Sequence, residues 1–583
     1  MTTTRHQITK KNDRPTLSAC MIVKNEEKFL AQCLESVKNA VDEIIVVDTG
    51  STDRTVEIAQ SFGAKLYHHP WRNNFSEARN YSLGYATGDW ILQIDADEEL
   101  EQEDIPELHK TIKENPNNAV YIAIYSELRS GQSKHYFARL YRRGKACYEG
   151  IVHNQLVFQG RASTSEIRLY HYGYNLSEDE MVKKYKRTGD LLRKQIEENP
   201  EDIFSLANLV RNYRNERNYE KVVEIGEGVL NMKFDDDSST KNQLQRISID
   251  LAYGLLDLKQ LDRAEEICKM ALKANPHFLD TNYLLGNILE KKNNYEEAIK
   301  FYKNYLVIKE KQKSEHDFNL LIVDTYEYEY RVYANMGACF ENLGRNDEAE
   351  VSYKKSIEYN NKESLPYRNL THLYLSQNKY SQAESIANIA VGLSVADKLT
   401  YLFLGKAQIM LGKREKAIDT YKQLIRKEGK DVSAYICLID VLADTNQNEE
   451  AEKIVRESLR FFPENISLQC LMAKIRYLKG DKENVLDFIK KKKEYICSDN
   501  NALLSMGNLC IEIEEYKMAI ELLEKHVETA TVTDASVISN IATCYAKMGE
   551  MESAIIGFQS ALKINPQYGY ASKNLQIIMN SCT

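Results

Sequence analysis

At 583 residues the chain exceeds what a single hydrophobic core supports, so two or more domains are expected. A formal net charge of -9 gives no electrostatic case for nucleic acid or an anionic membrane as the main partner, and no apolar run approaches the roughly 20 residues that span a bilayer. The start, Met1-Thr2-Thr3-Thr4-Arg5-His6, lacks a signal-peptide core, and 11 cysteines without a CxxC pair fit reduced thiols, so a cytoplasmic location is expected.

Residues 1–15 are polar, end at Pro15 and are expected to be a disordered tail. The apolar run Leu17 to Val23 then predicts a strand, Lys24-Asn25-Glu26-Glu27 a polar loop, and Phe29, Leu30, Leu34 and Val37 one face of a helix. The unit repeats with the strand Glu43 to Asp48, the loop Thr49-Gly50-Ser51-Thr52-Asp53 and a helix carrying Val56, Ile58 and Ala59. A short strand Ala64 to Tyr67, an amphipathic helix Phe75 to Tyr85 and the run from Trp90 to Ile94 follow. Strands alternating with helices predict a parallel, doubly wound sheet, whose right-handed crossovers bring the loops after Val23, Val47 and Ile94 to one edge.

At that edge Asp95 and Asp97 end a buried run abruptly. Residues i and i+2 of an extended segment face the same way, so the two carboxylates are placed to share a hard cation, Mg2+ or Mn2+, that keeps sites open for phosphate oxygens. Taken alone, an Asp-x-Asp more often merely opens a solvated turn. Asp48 can accept hydrogen bonds from a ribose or base, while Asp48-Thr49-Gly50-Ser51 also fits a common turn with Ser51 or Thr52 capping the next helix. Arg79, on the helix before the Trp90 run, reads by itself as an ion-pair partner of a nearby Glu on a helix surface.

Four blocks, Met21 to Glu27, Val46 to Asp53, Phe75 to Asn80 and Asp95 to Glu98, occur in an order that resembles family 2 glycosyltransferases of the GT-A fold. The resemblance implies an α/β nucleotide-sugar domain over residues 16–175. In it, Val23 and Glu26 would border the nucleotide pocket and Asp48 would contact uridine or another nucleoside. Arg79 would help hold the nucleotide-sugar, to which Asp95 also belongs, and Asp95 with Asp97 would hold the cation bridging the diphosphate. A UDP-sugar is the expected donor, and inversion is carried by the resemblance alone.

Residues 119–172 read as strands without intervening helices, Ala119 to Ile124, Tyr136 to Tyr141, Gly150 to Phe158 and Ile167 to His171, and predict an antiparallel extension. Arg139-Leu140-Tyr141 with Tyr148 to Asn154, and Tyr170-His171-Tyr172-Gly173-Tyr174, resemble a family 2 subgroup that glycosylates peptides, proteins and envelope acceptors. His171 is placed either to complete the cation's coordination or to pack as a core residue. An inverting transfer needs a base, for which Glu149 and then His153 are candidates; Glu149-Gly150 departs from the family's Glu-Asp pair, and a thiol acceptor needs no strong base.

A polar connector helix spans about 176–200, ended by Asn199-Pro200. Beyond it the marker residues Ala349, Ala383, Ala417, Ala451, Val485 and Ala519 recur every 34 residues, the tetratricopeptide period, as do Ala264 and Ala298. An aromatic four residues after the marker (Tyr302, Tyr353, Tyr421, Phe558) and a small residue twelve before it (Gly286, Gly337, Gly405, Ala542) mark packing positions. With Val222 as a degenerate first unit, about ten repeats form an all-α superhelical solenoid over 201–583. Such an array is suited to an extended peptide or protein acceptor, or to self-association as a homodimer. The expected protein is a metal-dependent, inverting glycosyltransferase whose array presents a peptide or protein acceptor. The alternatives are a lipid-linked or envelope polysaccharide acceptor, and an inactive nucleotide-binding scaffold.

Overall fold

Apolar runs set the N-terminal sheet. In the computed structural model, which describes residues 14–128, 131–152, 154–173, 178–235, 237–315, 323–493, 499–530, 534–566 and 568–581, the strands β1 (Leu17–Val23), β2 (Glu43–Asp48) and β4 (Trp90–Gln93) are almost wholly buried. Between them lie α1 (Leu30–Val37), α2 (Thr55–Ser61), β3 (Lys65–His68) and α3 (Phe75–Leu83). Being covered on both faces explains why these strands carry continuous apolar runs rather than an alternation. Leu17, Ala19, Met21 and Val23 of β1 pack with Leu34 and Val37 of α1 and with Leu108 of α4 (Ile105–Glu114). Cys20, pointing the other way, packs with Ile45, Ile91, Tyr141 and Tyr148. Each such Leu or Val side chain withdrawn from water contributes about 1.5–3 kcal/mol.

The sheet has eight strands in the order β3-β2-β1-β4-β7-β6-β10-β5, with β1 to β4 parallel. The later strands are β5 (Glu98–Leu100), β6 (Ala119–Leu128), β7 (Gly131–Arg142), β8 (Ala146–Glu149), β9 (Gln155–Phe158) and β10 (Ala162–His171). Here the structure differs from the expected antiparallel extension. Strand β7 runs antiparallel to β4 and β6, and β5 antiparallel to β10, but β10 runs parallel to β6. The cause is the step between β7 and β10: Tyr141 near the end of β7 and Ala162 at the start of β10 flank Ala119 on either side, so the chain passes over the end of β6 and returns parallel to it, with β8 and β9 paired as a separate hairpin on the way. For the same reason the single strand expected from Gly150 to Phe158 is interrupted, and Gly150 takes φ +87 in the break. The predicted tail is shorter at its C-terminal end, since Arg14 already pairs with Asp42 at 2.9 Å; residues 1–13 lie outside the described residues.

The chain forms two compact units, Met1–Asn360 and Asn361–Thr583. In the first, α5 (Glu178–Glu198) leads from the sheet into helical hairpins, α6 (Ile203–Asn215) with α7 (Tyr219–Leu230), α8 (Ser238–Asp257) with α9 (Leu261–Ala274), α10 (Leu279–Lys291) with α11 (Tyr295–Glu315), and α12 (Glu329–Asn342) with α13 (Asn346–Tyr359). The second unit runs from α14 (Ser364–Ser376) to α26 (Gly569–Ser581) in the same pattern. Every marker residue of the 34-residue period is buried, from Val222 to Ala554. A Cβ built on Gly286 would lie 2.5 Å from Tyr302, and one on Gly337 would lie 2.5 Å from Tyr353, so the small residue and the aromatic are one packing pair. Among the described residues no helix is long and apolar enough to cross a membrane.

Within the first unit the sheet grips the helices directly. Val152, Leu191, Leu192 and Leu209 form a core joining the β8–β9 connection to α5 and α6. Lys134 of β7 bridges backbone to Val323 and places its ammonium 5.4 Å from the Tyr326 ring and 5.0 Å from the Tyr136 ring.

Candidate functional site

The loops after β1 and β2 are laced together by side chains binding backbone. Asn25, at φ +56, accepts from Thr52 N–H (2.8 Å), Asn25 N–H donates to Ser51 Oγ (3.0 Å), and Glu26 N–H donates to Thr55 Oγ1 (2.7 Å). Asp48 accepts from the N–H groups of Gly50 and Ser51 at 3.2 and 3.0 Å, with His68 Nδ1 3.3 Å away. Gly50 sits at φ +108, a conformation only glycine takes without strain. The helix cap is neither Ser51 nor Thr52: α2 starts at Thr55, whose N–H is accepted by Asp53 at 3.0 Å. Val23, paired in register with Asp48, is buried at the floor of this edge.

Asp95 and Asp97 reach the same edge, but not as an extended pair. Strand β4 stops at Gln93, and residues 95–98 form a turn closed by Glu98 N–H on Asp95 O at 3.0 Å. The turn sends the two carboxylates to different partners. Asp95 accepts from Arg79 Nη2 of α3 at 2.6 Å and from Arg139 Nη2 of β7 at 2.9 Å. Burial works to raise its carboxyl, but the two guanidinium groups outweigh that and hold it well below the usual carboxylate range. Arg139 also donates to Glu98 at 2.6 Å, and Glu98 accepts the Asp95 N–H at 2.9 Å. Buried and beside Asp95, Glu98 has its carboxyl pushed up.

Arg79 therefore departs from the reading of an ion-pair partner on a helix surface. It is buried and pairs with Asp95 rather than with a surface glutamate, and its guanidinium lies 5.3 Å from the Tyr148 ring. Arg79 Nε and Nη1 and Arg139 Nε are buried without hydrogen-bond partners. Orphaned donors at an acidic sheet edge are the kind of group that an anionic ligand satisfies.

Asp97 turns toward β10. Its Oδ2 lies 3.3 Å from His171 Nε2, and its carbonyl accepts from Tyr172 N–H at 2.9 Å. Ser126 Oγ lies 3.3 Å from His171 Nδ1, which orients the ring with Nε2 toward the carboxylate. A Cβ at Gly173 would collide with Asp97 Oδ2 and His171 Nε2, so only glycine leaves this corner open. Glu26 completes the acidic rim: burial, then Asp97, pushes its carboxyl up to about 7, with Lys184 of α5 opposing.

The donor set suits a hard divalent cation at Asp97 and His171, with Glu26 near and Asp95 committed to arginines. Among the described residues no group of three His, Cys, Asp or Glu side chains stands ready as a metal cage. A cation held there would take its remaining ligands from phosphate oxygens and water, as Mg2+ and Mn2+ do in nucleotide sites. Glu149 ends β8 exposed, whereas its neighbour Tyr148 is buried against Arg79; alternation along a strand turns Glu149 to the opposite face. His153 and Tyr174 lie outside the described residues. Beside His171, a cavity of about 340 Å3 is lined by Glu99, Gln102, Tyr125, Tyr170 and Tyr172.

The sequence assigns no role to Arg139, Glu98, Gly173 or Lys184. Arg139, Glu98 and Gly173 stand in the blocks that carry the resemblance, and Arg139 is also a lone charge inside an apolar strand. Lys184 has no signal, because the contacts that define it join segments far apart in the chain.

A mixed sheet with an acidic lip at the ends of its parallel strands, continued by helical hairpins, defines an α/β domain joined to a helical repeat array. Residues 18–159 match the family described as Glycosyl transferase family 2, and residues 255–313, 330–363, 401–430 and 535–568 match families described as Tetratricopeptide repeat. The N-terminal segment is thus similar to family 2 glycosyltransferases and the helices that follow are similar to tetratricopeptide repeats. A TPR repeat-containing protein of Synechococcus elongatus is 37% identical over 206 residues, 33% of this chain and 51% of that protein. The SPbeta prophage-derived glycosyltransferase SunS of Bacillus subtilis is 33% identical over 206 residues, covering 33% of this chain and 49% of its own length. The chain spans about half the length of these curated relatives. His171, Gly173 and Lys184 lie beyond the segment matched to the transferase family.

Proposed function

We propose that the protein is a metal-dependent, inverting glycosyltransferase that moves a sugar from a nucleotide-sugar, a UDP-sugar in the first instance, to a peptide or protein acceptor carried by its repeats in the cytoplasm. The observation that carries this reading is the Asp97–His171 pair, 3.3 Å apart, on the same edge as Asp48 and beside partnerless guanidinium nitrogens. In this reading Val23, Glu26 and Asp48 border the nucleoside, and Asp97 with His171 holds Mn2+ or Mg2+. When bound, such a cation offsets the charge that develops on the departing diphosphate. Arg79 and Arg139 fix Asp95 as an ionised, rigid neighbour of that site. For the acceptor's base, exposed Glu149 stands ahead of His153 as the carboxylate of the pair, with no contact to the cluster to recommend it further. The glycosyltransferase name of SunS supports the transferase chemistry, and the repeats favour a protein acceptor.

The test is donor turnover by Asp97→Asn. Nucleotide release from the preferred donor should fall by about a hundredfold or more, as for loss of a first ligand to a catalytic cation, with circular dichroism unchanged. Release at the wild-type rate would remove Asp97 from the chemistry.

A further inference from the structure

The helix that leads from the sheet into the repeats carries a run of cations, Lys183, Lys184, Lys186 and Arg187. Three of them are exposed, and Lys184 alone is turned inward, toward the sheet edge. Its Nζ donates to Gly173 O at 3.1 Å. Its charge is felt by Glu26 on the nucleoside side and by His171 on the cation side, and Asp97 and Asp95 act on it in return. A diphosphate joining a nucleoside over β1 and β2 to a cation at Asp97 would take a passage beside this ammonium. Gly173 lies against Asp97 with no room for a Cβ, and its carbonyl fixes the ammonium at that passage.

We propose that Lys184 is a diphosphate-binding residue, so that α5, outside the matched transferase segment, supplies part of the donor subsite. The inference rests on the nucleotide-sugar reading above. Lys184 reaches this cluster from α5 with its ammonium on the Gly173 carbonyl, and it adds a cation to the same edge as the partnerless donors of Arg79 and Arg139. An ammonium is a compact charge suited to a phosphate oxygen, and at the leaving diphosphate its stabilisation grows as the glycosyl bond breaks. The arrangement couples the repeats to the donor site through one rigid helix, because Leu191 and Leu192 of the same α5 pack on Leu209 of the first repeat hairpin.

The experiment separates charge from a structural tie. Full-length wild type, Lys184→Gln and Lys184→Arg are titrated calorimetrically in Mn2+ with UDP, GDP and dTDP, and with the corresponding nucleosides. Glutamine keeps a donor for the Gly173 carbonyl but no charge. It should weaken binding of the preferred nucleoside diphosphate about tenfold while leaving its nucleoside unchanged, and arginine should recover most of the loss. Gln binding the diphosphate as tightly as wild type, or weakening nucleoside and diphosphate alike, or Arg faring no better than Gln, would overturn the assignment to Lys184. A wild type that binds none of the diphosphates or nucleosides would instead fail the nucleotide-sugar reading, and the subsite with it.

Discussion

Arg139 joins two carboxylates, Asp95 and Glu98, at 2.9 and 2.6 Å; Glu98 is buried and Asp95 half-buried. Removing the guanidinium leaves buried Glu98 without its cation, while Asp95 keeps Arg79, so Arg139→Met should cost about 3–5 kcal/mol, the range for breaking a buried pair by deleting one partner. Urea denaturation measures it; a loss under 1 kcal/mol would mean that water reaches the pair. Glu26 gives a pH signature. Its carboxyl is pushed up to about 7 in the folded protein, by burial and then by Asp97, against about 4.3 in an unfolded chain. The folded state therefore binds the extra proton between those values, so its contribution to stability is full below about pH 4.3 and lost as pH rises through about 7. A cation beside Asp97 favours the ionised form, so saturating Mn2+ should restore stability most above pH 7, and cation affinity should climb from pH 6 to 8. Glu26→Gln should flatten both slopes in thermal melts taken with and without Mn2+; unchanged slopes would assign them to other groups.

At the scale of elements, β1 and β2 were legible to the residue because burial on both faces demands an unbroken apolar run. The 34-residue period was legible because each marker must fit a neighbouring helix, as Gly286 fits Tyr302. Asp95 and Asp97 were placed at the correct edge, but the turn that parts them was not foreseen. Two acidic residues after a strand look alike in sequence, whereas Arg79 and Arg139, 16 and 44 positions away from Asp95, decide which carboxylate is neutralised. The parallel run of β10 beside β6 was hidden for a similar reason, since nothing local distinguishes a strand that returns directly from one that returns after a hairpin. Lys184 sits in a helix whose polar composition reads as solvated. The corner built by β5, β10 and Gly173 leads to an element-scale prediction. Gly173→Ala should leave the melting temperature within a few degrees yet abolish measurable Mn2+ binding, because the added methyl occupies the space between Asp97 and His171. Retained Mn2+ affinity would place the cation elsewhere.

For the whole molecule, the first compact unit takes the sheet, α5 and four helical hairpins together, and the second contains only helices. A solenoid without catalytic side chains acts by raising the local concentration of what it holds. A chain ending at Asn360 should thus keep slow donor hydrolysis and lose transfer to a protein acceptor; equal losses of both would make the second unit a support for the first. The central claim is that the Asp97 edge releases a nucleotide from a sugar donor with the help of a cation. It is tested most directly by incubating the purified full-length protein with UDP-, GDP- and dTDP-sugars in Mn2+, Mg2+ or EDTA and measuring free nucleotide. The account predicts release from one donor, abolished by EDTA and by Asp97→Asn; release that persists in EDTA, or a protein that neither binds nor turns over any of these donors, would contradict it.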